Sequence, residues 1–139
     1  MHSLLITSVM LLAFDLGSIK NEPNLEKRSE LALDYANTAL DQAREAYVAG
    51  DIAKTEAALG ELRESVELAY QSLEGTGKDA RRSPKFFKRA ELKTRELLRR
   101  LDGLHQSVSF DDRALVEKVR DRVAEIHDNL LRGIMSKKK

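Results

Sequence analysis

The residues able to do chemistry in this chain are three histidines and one dense run of cations. The histidines are His2, His105 and His127. Asp102 and His105 stand three residues apart, which puts a carboxylate and an imidazole on one face of a helix. A di-metal helical bundle needs such a unit on each of two helices, with further inward carboxylates. His127 has Ala124 at the matching position, so the second unit is missing and both helical histidines read as structural or surface groups. The chain has no Cys, which removes thiolate catalysis and Cys-based metal sites. Gly75-Thr76-Gly77-Lys78 has neither the spacing nor the preceding strand of a phosphate-binding loop. The expectation is a non-enzymatic protein with no metal and no cofactor.

The cations offer more. Residues 78–100, KDARRSPKFFKRAELKTRELLRR, contain 10 Lys or Arg and only 3 acids, so anion binding is the chemistry this stretch favours. Ser83-Pro84 within it reads as a helix start, Ser as the cap and Pro at the first helical position. Arg81, Arg82, Lys85, Lys88 and Arg89 therefore crowd a helix N-terminus, whose unpaired N–H groups and positive dipole end already attract anions. The other helix starts carry acids instead: Glu26, Asp51 with Glu56, and Asp111 with Asp112. These five cations are the candidate anion-binding residues. They would suit an acidic protein face, a polyanionic polymer or an acidic lipid surface; nucleic acid is disfavoured because no reading motif accompanies the charge. The competing expectation is a solvated basic face neutralised inside the fold. Residues 20–74 hold 6 basic and 12 acidic residues, whereas residues 78–104 hold 10 and 4, so the two halves have opposite charge to offer each other.

The elements that must position these groups are helices. Ala, Leu, Glu, Lys and Arg dominate, and apolar residues recur at alternating steps of three and four, the period of a helical seam. The first seam is Ser29, Ala32, Ala36, Ala39, Ala43, Ala46 and Gly50, flanked by Leu33, Leu40 and Tyr47. Its small residues let a partner helix come close, while the flanking row supplies volume. The second seam is Ile52, Thr55, Leu59, Leu62, Val66, Ala69 and Leu73, and the third is Phe87, Ala90, Thr94, Leu97, Leu101, Leu104 and Val108. The fourth is Val116, Val119, Val123, Ile126, Leu130 and Gly133. Asn24 and Asp51 are caps for the first two helices, Gly50 ends the first, and Asp111, or Ser109 with Asp112, opens the fourth. Phe110 has the spacing of a hydrophobic staple on Leu115.

Four helices of about 24 residues, each roughly 36 Å long, with mostly short links, predict an all-α, antiparallel up-down four-helix bundle over residues 24–134. The alternative is a pair of long hairpins that oligomerises through the seams with another chain. Ala43-x-x-Ala46-Tyr47-x-x-Gly50-Asp51 resembles the helix-to-turn segment of tetratricopeptide repeats over about nine residues. No second copy follows, and the resemblance implies no function.

Residues 4–14, LLITSVMLLAF, form an uncharged apolar run too short to span a bilayer as a helix but of the length found in secretory signals. Residues 1–18 are expected to be a signal peptide, with a cleavage site offered by residues 16–18 or 11–13. Residues 19–23 would be a polar spacer and residues 135–139 a basic tail. The mature protein would then be periplasmic or extracellular. In the alternative, cytoplasmic reading the apolar run packs on the bundle. The expected function is that of an interaction or structural module, with a protein partner or an anionic surface as the contact.

Overall fold

The computed structural model describes residues 15–136, all of them helix, turn or loop with no strand. A short helix α1 (Leu16–Lys20) is followed by four long ones, α2 (Leu25–Val48), α3 (Ile52–Gly75), α4 (Lys85–Ser107) and α5 (Arg113–Met135). The long helices have 24, 24, 23 and 23 residues, so they can lie alongside each other with their ends in register.

Local chemistry sets most of the boundaries. Asn24 Oδ1 accepts from the Lys27 N–H at 3.1 Å and Asp51 Oδ1 from the Lys54 N–H at 3.0 Å, so each satisfies an otherwise unpaired amide at a helix start. Gly50 has φ +79°, a left-handed conformation that a side chain would strain, and this lets the chain reverse between α2 and α3. Two starts differ from the sequence expectation. Ser83 does not cap α4: the Arg82 and Ser83 N–H groups both donate to the Asp79 carbonyl, which winds Ser83 into a preceding turn. Pro84 is then already in the α conformation and acts as the cap residue, without a side-chain hydrogen bond. At α5 a 3₁₀ turn (Phe110–Asp112) intervenes, Ser109 Oγ donates to Asp112 Oδ2 at 2.9 Å, and Phe110 points to solvent instead of stapling.

The four seams meet in one core. Every expected seam residue from Ser29 to Ala46 is buried, as are Thr55 to Leu73, Phe87 to Val108 and Val116 to Leu130; Ile52, at the first turn of α3, is instead 40% exposed. Ala32, Ala36, Ala39 and Ala43 are fully buried and bring α2 close against α3, where Leu59, Leu62, Val66 and Leu73 fill the space. Arg28 Nε donates to Ser72 Oγ, and Leu25 lies against Gly75. α2 packs on α3 and α4, α5 packs on α4 and α3, α3 and α4 touch only lightly, and α2 and α5 do not meet. The link from Thr76 to Pro84 therefore crosses the open end of the fold diagonally, and Ala80 rests on Gly133 there.

α1 docks beside α2 and α3 through buried Leu16 and Ile19, with Asp15 capping it through the Ser18 N–H. The expected signal-to-spacer boundary after residue 18 thus falls within a packed helix. Residues 1–14, which carry the apolar run, and residues 137–139 of the basic tail lie outside the described residues.

Candidate functional site

The basic stretch divides into two sets according to what α2 places opposite it. Lys78 pairs with Glu26 at 2.9 Å, Arg89 with Glu30 at 3.2 Å and Lys93 with Asp34 at 2.6 Å, and Arg100 pairs with Asp41 while donating to Asn37. Three of these contacts join residues 59 apart, so the partners keep step along the two helices. The ladder consumes four acids of the acidic half. Each exposed rung contributes only about 0–1 kcal/mol, so its main effect is to neutralise the flank.

Four of the five candidate cations stay outside this ladder. Arg81, Arg82, Lys85 and Lys88 have no ion-pair partner among the described residues; Arg89 is committed to Glu30. Asp79 shapes the approach through backbone bonds: its carboxylate accepts from the Arg81 N–H at 2.9 Å and its carbonyl from Arg82 and Ser83. Phe86, half-buried against the core, lies under both Lys85 Nζ and the Arg89 guanidinium, each 5.3 Å from the ring centroid. The ring face attracts both cations. With no acid in the first turn of α4 and no side-chain cap, this end is electropositive by charge and by helix dipole together.

The histidines go to separate carboxylates. His105 Nε2 lies 2.8 Å from Glu117 Oε2, and Asp102 pairs with Arg120 at 3.6 Å, so the i, i+3 pair does not converge on a common ligand. His127 Nε2 lies 2.7 Å from Glu91 Oε2, and Arg95 Nε and Nη2 donate to the same carboxylate at 2.9 and 2.6 Å. Glu91 is buried. Burial alone would push its carboxyl up; the hydrogen bonds from His127 and Arg95 outweigh that and hold it below the ordinary carboxylate range. This buried clip between α4 and α5 escapes a seam-based reading, because both members sit one residue past a seam position, Glu91 after Ala90 and His127 after Ile126. The described residues hold no group of three or more His, Asp or Glu that could bind a metal.

A groove of about 660 Å³ runs along α1 and α2, with Ile19, Pro23, Leu31, Tyr35, Thr38 and Gln42 among its lining. Burial and the neighbouring Glu61 push the Tyr35 phenol up to about 12. Tyr70, near the open end, is raised to about 12 by burial and by Glu74. No described helix is long and apolar enough to cross a membrane. No family model, no curated protein and no solved structure matches this chain.

Proposed function

We propose that this chain is an up-down four-helix bundle made of two antiparallel hairpins set side by side, and that it works as a non-enzymatic interaction module, contacting an anionic partner through the open end at the start of α4. Support for the topology comes from the pairing pattern. Contacts between α2 and α3, and between α4 and α5, fold back across a turn, so each hairpin is antiparallel, whereas α2 with α4 keeps a constant offset, so these two helices of different hairpins run parallel.

The observation that carries the functional reading is the sorting of the cations. α2 neutralises Lys78, Arg89, Lys93 and Arg100, and leaves Arg81, Arg82, Lys85 and Lys88 together at one end without carboxylate partners among the described residues. Cations held close together repel one another, and an incoming anion relieves that repulsion. Binding to inorganic polyphosphate and to phosphatidylglycerol vesicles at low salt tests the reading. The triple variant Arg81→Ala, Arg82→Ala, Lys85→Ala should bind at least tenfold more weakly. Equal binding by the variant, or none by the wild type, refutes it.

Export remains part of the proposal, with one refinement. Cleavage after Ala13 would leave α1 whole, whereas cleavage after Ser18 would remove buried Leu16 and the Asp15 cap. The mass of the native N-terminus decides between them, and an intact Met1 would favour the cytoplasmic alternative.

A further inference from the structure

The end opposite the cation cluster has an unusual surface. Tyr47 Oη–H donates to Asp112 Oδ2 at 2.9 Å, and the Ser109 N–H donates to Tyr47 Oη at 2.8 Å, so the α2–α3 turn and the α4–α5 turn are locked side by side. On either side of this clasp stand Val48 at 83% exposure and Phe110 at 82%, with Ile52 at the first turn of α3. Five large apolar side chains are exposed among the described residues, and three of them belong to this one end. Arg113 lies 6.0 Å from the Phe110 ring, and its Nε is buried with no hydrogen-bond partner among the described residues. An apolar cluster left in water at the tip of a bundle is a surface that gains by being covered.

Charge says what covers it. Residues 45–56 and 108–113, which make up this tip, hold 5 acidic and 2 basic residues, so two tips repel each other. The flank along α2 and α4 is neutralised by its own ladder. The open end is the complement: residues 76–88 hold 5 basic residues and 1 acid, and with Lys78 committed to Glu26 four cations unpaired among the described residues remain around the half-buried Phe86 ring.

We infer that the tip of one molecule docks on the open end of a second copy, so that the chain stacks head to tail. This rests on the reading of the open end as anion-seeking, and names its partner as an acidic, apolar-centred protein face carried by the same sequence. The contact is heterologous: each docked molecule still presents one free tip and one free open end, so the assembly grows as an open row instead of closing as a dimer. Apart from Ile52 at the tip, it leaves the seam residues alone, because they are buried within a single chain.

Sedimentation equilibrium on the full chain, over a concentration series at about 0.05 M and about 1 M salt, reads the association, because screening shortens the reach of these charges to a few ångströms at the higher value. The wild type should grow in mass with concentration at low salt and fall to monomer at high salt. A tip variant (Val48→Ser with Phe110→Ser) and an open-end variant (Arg82→Glu with Lys85→Glu) change exposed side chains, and circular dichroism confirms that each is folded. Each variant alone should be monomeric. Mixed, they should form a 1:1 pair and nothing larger, since only one competent tip and one competent open end remain. A wild type that stays monomeric at low salt, a tip variant that still associates, or a mixture that stays monomeric overturns the inference. Polyphosphate binding separates the two failures. If the monomeric wild type binds it and the open-end variant does not, stacking alone is lost. If neither association nor polyphosphate binding responds to Arg82→Glu with Lys85→Glu, the anion reading falls as well.

Discussion

Replacing Glu91 with Gln should destabilise the fold by about 2 kcal/mol at neutral pH, and the loss should shrink in acid. The Glu91 side chain is 8% exposed and its carboxylate serves two donors, His127 and Arg95. Gln keeps the shape but turns an NH₂ group toward one of these donors and removes the charge from both. A hydrogen bond to a charged partner is worth about 1.5–3 kcal/mol. The two bonds do not count equally. The Arg95 side chain is 60% exposed and can turn to water, so its share is at the surface scale of about 0–1 kcal/mol. The His127 side chain is 13% exposed and cannot, so it carries most of the loss. For a chain of 139 residues about 2 kcal/mol corresponds to a drop in Tm of roughly 7 °C. The sign of the pH effect follows from the direction of the Glu91 shift. Its folded-state value lies below the unfolded one, so its stabilisation is complete above the ordinary carboxylate pKa near 4.3 and is lost as pH falls through the lower folded value. Thermal unfolding of wild type and Glu91→Gln at about pH 7 and about pH 3 measures both effects. The double variant Glu91→Leu, His127→Leu should recover most of the loss, because removing both partners leaves no buried orphan. A gap that is absent at neutral pH, or constant across the range, would refute the assignment of Glu91 as a stabilising buried anion.

Leu97 is fully buried between the hairpins, and Leu97→Ala should cost about 3 kcal/mol in the urea unfolding free energy. Gly60 lies inside α3 with no atom within 4 Å of an added Cβ, so Gly60→Ala should gain about 1 kcal/mol in the same assay. Gly50→Ala should lose about 1 kcal/mol, because φ +79° strains any side chain even though the space is open. Tyr35 and Tyr70, raised to about 12, should stay protonated in the native protein where a free phenol ionises, near 10. Ultraviolet titration reads this directly. Since the unfolded chain ionises these phenols first, stability should decline as pH rises above about 10.

The amino-acid order by itself determined which residues are inside. The alternation of three and four follows from the 3.6-residue turn, so almost every residue placed on a seam is buried, and the side-chain caps of Asn24 and Asp51 and the left-handed Gly50 mark helix boundaries locally. Ile52, in the first turn of α3, departs and stays 40% exposed. Ser83 failed as a cap because the turn built on Asp79 competes for the same few residues. Which helix lies beside which is a tertiary matter: nothing local says that α4 settles against α2 more than against α3. That choice turns Glu26, Glu30, Asp34 and Asp41 toward Lys78, Arg89, Lys93 and Arg100 of the basic stretch. It also leaves Arg81, Arg82, Lys85 and Lys88 unneutralised among the described residues. The same packing joins Glu91 to His127 across 36 residues, and locks the α2–α3 turn to the α4–α5 turn through Tyr47. Periodicity reports distance from a helix axis, whereas charge pairing depends on the neighbour, and only the assembled fold supplies one.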